Sequence, residues 1–480
     1  MRIMSGVTTA LDTQQMLAIF EKQKRRSLLL RSELLSDRKK RLVEFESFLL
    51  KNKHRVSEAV FNDFRKPRTE SDISEVYPVL TEIRHTLTRL SDWAKPQKID
   101  APLTYLGTQS EVRYEPKGVC LIIAPWNFPF NLCIGPLISC LAAGNTAIIK
   151  PSELTPHTSK LIADLIGEFF DEDLVTVFQG DQDVSSQLLA LPFDHIFFTG
   201  SPEVGKIVMK AAAENLSSIT LELGGKSPAI IDDSANLKDA AKRIAFGKFL
   251  NNGQTCIAPD YVLVHEHVKA KFIEELKTIT AAMFGENGII NESSTNYARV
   301  VNRKHFDRLN KILQDAVDKG AKIEMSGDVN KDTNFIHPVI MTNVGLDTLV
   351  MQEEIFGPIL PVIPFKTTEQ VTYIVNGKPK PLALYVFTNR KSFQEKILTE
   401  TSAGSVGVND CVLQFSHPNL PFGGVNNSGI GKSHGRYGFL AFSNEKPVLR
   451  QKRGFSIAYL MHPPYTNFRK KLVALILRWF

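Results

Sequence analysis

Four almost unbroken apolar runs, at residues 118–124, 146–150, 174–178 and 194–199, alternate with segments of helical spacing at about 131–143, 155–170, 183–190 and 202–214. A strand that is apolar along its whole length has to be covered on both faces. Strands that alternate with helices meet that demand as a parallel sheet with crossover helices on either side, so the fold class is α/β and doubly wound. A second alternating block spans about 223–410. Its strands are expected at 228–231, 261–264, 359–365, 383–388 and 405–409, and its helices near 237–250, 266–283, 296–319 and 391–401. Upstream, the spacing predicts helix over 13–64 and 71–93, the latter closed by Pro96. Residues 97–115 hold alternating and turn-like segments, of which 105–108 and 110–114 read as two exposed strands, an arm suited to a subunit contact. The last 70 residues read as Gly-, Pro- and Asn-rich loops with a short apolar tail.

The chain has 480 residues, 43% hydrophobic and 23% charged, which is a globular composition with room for two or three cores. The formal net charge of +7 is spread out. Its clusters, at 22–26 and 38–41, fall on a helical stretch without stacking aromatics, which reads as a solvated helix face, with a membrane surface or nucleic acid well behind; no nucleic-acid partner is expected. The five cysteines are odd in number and contain no C-x-x-C pair. Neither a disulfide framework nor a metal site is expected, and the compartment is expected to be reducing and cytoplasmic. No apolar signal core opens the chain. The apolar stretch 472–477 is far shorter than the roughly 20 residues that a membrane-spanning helix requires.

Chemistry collects at five places. Asn251-Asn252-Gly253-Gln254-Thr255-Cys256 lies between a helix that ends near 250 and a strand that begins at Tyr261, so Cys256 sits in a connection, where reactive side chains are usually presented. A buried structural thiol is the other reading. Phe198-Thr199-Gly200-Ser201-Pro202 leads from a strand into a helix with Ser201 as N-cap and Pro202 in its first turn. Such a helix start suits a pyrophosphate, although the glycine spacing is not G-x-G-x-x-G and an ordinary turn is the alternative. Lys150 and Glu153 follow the strand 146–150, where dinucleotide folds hold a ribose; a surface helix cap is the alternative. Pro125-Trp126-Asn127-Phe128-Pro129 holds an amide donor between two prolines, as an oxyanion site needs or as a packed loop allows. Glu222, set between Leu221 and Leu223 and followed by two glycines, would have its pKa raised by burial and serve as a general base, unless it pairs with Lys226.

These stretches, together with Glu353-Glu354-Ile355-Phe356-Gly357-Pro358 and Leu420-Pro421-Phe422-Gly423-Gly424, resemble the aldehyde dehydrogenase superfamily. They do so in family order from about 15 to 465. Lys378-Pro379-Lys380-Pro381-Leu382 and His462-Pro463-Pro464-Tyr465 make the likeness closest to the class 3 group of fatty and aromatic aldehyde dehydrogenases. The resemblance implies a variant Rossmann-type NAD(P)-binding domain (1–96 and 117–222), an α/β catalytic domain (223–410), an oligomerisation and bridging arm (97–116 and 411–450) and a tail (451–480).

It also implies roles. Cys256 would be the nucleophile, Glu222 the base that activates water, and Asn127 with the Cys256 N–H the oxyanion donors. Lys150 and Glu153 would bind the adenosine ribose, with Gly200, Ser201 and Gly205 along the adenine and pyrophosphate. Glu354 would hold the nicotinamide ribose beside Phe356, and Trp126 and Leu223 fall on the same cofactor side. The expected cofactor is NAD, with NADP as a second acceptor because Glu153 only disfavours a 2′-phosphate. The expected substrate is a medium- to long-chain aliphatic or aromatic aldehyde, oxidised to the acid by a homodimer.

Two other functions compete: transfer of the acyl group to coenzyme A, and binding without catalysis. Glu222 argues against the first, and the intact Cys256, Glu222 and Asn127 set against the second. No Lys, Arg or His neighbours Cys256 in sequence, so the fold is expected to help its ionisation. The tail is expected to pack on the protein or to cap the substrate entrance, with peripheral membrane contact as the alternative.

Overall fold

The computed structural model describes residues 5–454 and 456–479. Its first sheet has six strands in the order Gly429–Ile430, Ser218–Glu222, His195–Thr199, Val119–Ile123, Thr146–Lys150 and Val175–Val177. All pairs are parallel except the edge pair, in which Gly429 lies antiparallel to Glu222. Successive side chains of a strand point to opposite faces. Cys120 and Ile122 accordingly join one core, with the helices Leu35–Phe64, Tyr77–Trp93, Asn131–Ala143 and Pro156–Phe169. Val119, Leu121 and Ile123 join another, with Met16, Ile19 and Phe20 of the first helix and Val208 and Ala212 of Pro202–Asn215.

The helix predicted over 13–64 is in fact two, Ser5–Leu30 and Leu35–Phe64, and they serve opposite faces of this sheet. One straight helix cannot cover both faces, so the chain turns at 31–34. The run at 71–93 starts as Arg68–Ser71, passes through a wide turn at Asp72–Val76 and continues as Tyr77–Trp93. The helix expected near 296 starts at Arg303, where the Asn302 side chain caps it by accepting from the His305 N–H at 3.0 Å. Ser218–Glu222, Lys322–Met325, Val339–Thr342 and Thr368–Asn376 are elements the sequence pattern did not separate from their surroundings.

The second sheet has seven strands in the order Lys322–Met325, Val339–Thr342, Ile359–Phe365, Tyr261–His265, Pro228–Ile231, Ala383–Phe387 and Ser405–Val408. It is parallel except for its first edge strand. The arm has three strands, Gln97–Ile99, Thr108–Pro116 and Ser443–Gln451, the last paired with the second over nine residues. The strand expected at 110–114 lies within the second, whereas the one expected at 105–108 is instead a turn over 105–107, the end of the short helical turn Leu103–Tyr105 followed by Gly107 at a φ of 89°. The segment 411–450 runs between the arm and the body. Gly429–Ile430 edges the first sheet, and the helix Gly435–Ala441 packs on Asn131–Ala143 and Tyr77–Trp93. Phe439 and Phe442 enter the same core as those helices, which explains why this stretch returns to the body.

The tail forms a helix, Asn467–Trp479, against the turn Ile457–Met461. Contrary to the expected packing on the body, Phe468, Leu475 and Leu477 are exposed. Among the described residues no helix is long and apolar enough to cross a membrane.

Candidate active site

Parallel strands place their carboxyl ends on one edge of the sheet. In register, Ile123 is opposite both Lys150 and Phe198, and Thr199 is opposite Glu222. One edge thus gathers the 124–129 loop, Lys150, the 199–201 turn and Glu222, as expected at the switch point of a doubly wound sheet. A cavity of about 750 Å³, counted to its open mouth, lies there. Asn127, Thr199, Gly200, Ser201, Glu222 and Leu223 wall one side, and Cys256, His305, Arg308, Glu354 and Phe356 close the other.

Cys256 is presented by an irregular turn. Asn251 and Asn252 have φ of 53° and 57°, and Gly253 follows at 75°. Asparagine tolerates the left-handed region better than most residues, and a glycine is required third, because a Cβ at Gly253 would run into the Gly357 carbonyl. Buried amides hold the turn. Gln254 Nε2 donates to the carbonyls of Asn251 (3.0 Å) and Arg299 (2.9 Å), and its Oε1 accepts from the Val301 N–H at 2.9 Å. The Asn251 N–H donates to Glu70 at 2.8 Å, and its side chain donates to the Asn127 carbonyl at 2.8 Å. The buried ion pair Lys66–Glu75 (2.8 Å) stands behind the Asn127 loop, with Glu75 also accepting from the Asn131 N–H at 3.0 Å.

Asn127 Nδ2 donates one hydrogen to the Gln254 carbonyl at 3.1 Å. Its second hydrogen has no partner among the described residues. The backbone N–H groups of Cys256 and Ile257 face the Cys256 sulfur. The expected help with ionisation is absent here. Burial, with the carboxylates of Glu354 and Glu222, pushes the thiol up, and only those two N–H groups oppose the shift. The other four cysteines are buried, whereas Cys256 is partly open.

Glu222 is 5% exposed, and burial raises its pKa to about 7. The Ser433 hydroxyl, which donates to Oε1 of Glu222, and the more distant Lys432 ammonium hold it from rising further. Lys226 is not its partner. That ammonium pairs with Asp260 and donates to the carbonyls of Val350 and Glu353, both at 2.8 Å. Asp260 in turn accepts from the Ile355 N–H at 2.9 Å, so the Lys226–Asp260 pair fixes the segment carrying Glu354 and Phe356.

Burial and the nearby Asp260 raise Glu354 to about 8. Its carboxylate lies so close over Gly224 that a Cβ there would collide with it. Phe356 has a positive φ of 50° and meets Trp126 edge-on at 5.3 Å.

Lys150 is buried at 3.6 Å from Glu153, which is half exposed. Ser201 caps Pro202–Asn215 by accepting from the Val204 N–H at 3.3 Å, so the N-terminus expected there forms. Gly205 stands one turn further along, where its missing Cβ lets the helix approach Leu223. The sequence did not single out Thr199, His305, Arg308 or Ser433. His305 and Arg308 come from a helix with no local mark of function. Burial lowers His305 to about 4, leaving a neutral imidazole that packs on Trp126 at 4.9 Å. Arg308 donates to the carbonyls of Glu354 (3.1 Å) and Ile355.

The fit of a nucleotide can be judged from the walls. Buried Thr199 Oγ1 and His305 Nδ1 have no partner among the described residues, and both belong to cavity-lining residues beside a free helix start. This is a polar cradle lacking its complement.

A second cavity, of about 690 Å³ by the same count, shares Leu132 and Glu222 with the first. Tyr77, Pro78, Leu132, Pro136 and Phe415 make it largely apolar, and Glu82, Ser433 and His434 also reach it.

Comparison with known proteins shows what the chain as a whole is similar to. The model of the aldehyde dehydrogenase family matches residues 6–448. The chain is 42% identical over 458 residues to the 4,4'-diaponeurosporen-aldehyde dehydrogenase of Staphylococcus aureus, covering 95% of this chain and 96% of that one. It is 40% identical over 435 residues to aldehyde dehydrogenase family 3 member A2 of Mus musculus, covering 90% and 88%. The solved structure of Staphylococcus aureus AldH in a substrate-bound state superposes with a TM-score of 0.91 at 39% identity, covering 96% of this chain and 99% of that one.

Proposed function

Because the chain belongs to the aldehyde dehydrogenase family, and is by that membership an NAD(P)-dependent enzyme that oxidises aldehydes, we propose that it converts medium- to long-chain aliphatic or aromatic aldehydes to free acids through a thioester on Cys256. The observation that supports this is the convergence of Cys256, Asn127 and Glu222 from three separate elements on one cavity.

In this reading Cys256 attacks the aldehyde carbon. The alkoxide of the resulting thiohemiacetal lies between the free Asn127 N–H and the Cys256 N–H, donors already in place before charge develops. Glu354, Phe356, Trp126, Leu223, Gly200, Ser201, Gly205, Lys150 and Glu153 hold the nucleotide. When bound, NAD(P)+ supplies the hydride acceptor and a positive ring that offsets the two carboxylates beside Cys256. Glu222 then takes a proton from water. The hydroxide so formed attacks the thioester carbon, the carbon–sulfur bond breaks, and Cys256 leaves as thiolate. A base with a pKa of about 7 serves this step near neutral pH.

The apolar second cavity supports the substrate class. It meets the first at Leu132 and Glu222 and offers apolar walls against which an alkyl or aryl tail would pack. In the same reading 1–96 and 117–222 carry the cofactor, 223–410 the nucleophile, and the three-stranded arm a homodimer contact.

A panel from acetaldehyde through long-chain aldehydes to benzaldehyde, with NAD and NADP in parallel and with or without coenzyme A, tests it. The expected result is higher kcat/KM for the larger aldehydes and free acid as product. Preference for acetaldehyde would overturn the substrate class, and an acyl-coenzyme A product would overturn hydrolysis.

A further inference from the structure

Glu222 is held by a residue far away in the chain. The Ser433 hydroxyl donates to its carboxylate. Ser433 is itself pinned, its N–H donating to the Phe422 carbonyl at 2.7 Å and its own carbonyl accepting from the Phe422 N–H at 3.2 Å. The next two residues turn sharply, with φ of 69° at His434 and 49° at Gly435. The Gly435 N–H then donates at 2.8 Å to Glu82, a buried carboxyl on the helix Tyr77–Trp93 that also accepts from Ser139. A helix carboxyl, a strained turn and a hydroxyl thus form one connected support ending on Glu222. Strain of this kind persists only where surrounding contacts impose it.

We propose that Ser433, held in place by Glu82, is a positioning residue for Glu222: its hydroxyl keeps the carboxylate ionised and oriented at the junction of the two cavities, ready to take the proton of the hydrolytic water. This rests on the reading of Glu222 as the general base. Donation to a carboxylate favours its charged form, so loss of the hydroxyl raises the pH at which the base becomes available. The other groups facing this region are Lys432 on the Ser433 strand side, Cys256, Glu354, His305 and Arg308 around the first cavity, and Glu82 and His434 in the second. None of them is a hydrogen-bond partner of the Ser433 hydroxyl, which meets only Glu222 and the Phe422 carbonyl among the described residues.

The experiment is rapid-mixing kinetics on the full chain with NAD across pH 5.5–9.5, separating the NADH burst from steady turnover. S433A is expected to keep its burst, while the acid limb of turnover moves up by about one pH unit. That is a roughly tenfold loss at pH 6 and almost none at pH 9. S433T restores the wild-type limb. An acid limb that stays where it is in S433A overturns the proposal, whether or not the rate falls uniformly. E222Q separates the two claims. Arrest after one burst supports Glu222 as the base, so a fixed limb in S433A then condemns Ser433 alone. Continued turnover by E222Q removes the base itself, and the proposal with it.

Discussion

The two cavities that meet at Glu222 and Leu132 are built from different kinds of chain. The first is walled mainly by short connections after strands and by turns: 125–127, 199–201, 222–224, 256 and 354–356. Its polar atoms include two without partners among the described residues, Thr199 Oγ1 and His305 Nδ1. The second is walled by faces of two helices and by the returning loops at 415–418 and 433–438, and it is mostly apolar. The difference teaches where invariance of chemistry and freedom of substrate can coexist. In the proposed reading, reacting groups are fixed by backbone geometry in connections, whereas tail recognition is left to helix side chains that can change volume without moving a reacting atom.

Three substitutions would break or sharpen this contrast. The largest effect is expected at Cys256, the proposed nucleophile of the first cavity. C256A should lower NADH formation from every aldehyde by at least ~10³-fold, burst included, while NAD(P) still binds by fluorescence titration. Retained turnover would mean that the cavity uses another nucleophile.

The second cavity should respond selectively. Gly135 lines it, and a Cβ there would meet only Asn131 Oδ1 at an ordinary 3.6 Å, so a larger side chain can grow into the space. G135L should cost long-chain and aromatic aldehydes about ten- to a hundredfold in kcat/KM and leave acetaldehyde nearly unchanged. Equal losses for all aldehydes would show that the two cavities are not separable in this way.

The smallest effect is expected at the edge of the cofactor region. Glu153 is half exposed, so its repulsion of a 2′-phosphate is screened. E153A should lower KM for NADP by about two- to fivefold with little change for NAD. An unchanged NADP/NAD ratio would remove Glu153 from cofactor choice.

Much of the first cavity was legible because its signals are local. The strand-to-helix turn with Ser201 and Pro202, the Asn-Asn-Gly stop before Cys256, and an acid between leucines each express their geometry within a few residues. The second cavity was illegible. Its lining residues lie at helical spacing indistinguishable from core positions, and its loops come from the Gly- and Pro-rich end of the chain. That end also concealed the arm's third strand, Ser443–Gln451, whose partner lies more than three hundred residues upstream.

The sequence alone determined which strands must be covered on both faces, the capped helix start at Ser201 and Pro202, and that Cys256 stands in a connection. The reason is that period, punctuation and capping act over a few residues. Only the tertiary structure decided who partners whom. Lys226 goes to Asp260 rather than Glu222, and the first helical region splits to cover both faces of a sheet. Cys256 meets carboxylates instead of a cation, and Glu222 takes its hydrogen bond from a serine 211 residues away. Such pairings follow from how whole sheets and helices pack, and no local spacing encodes them.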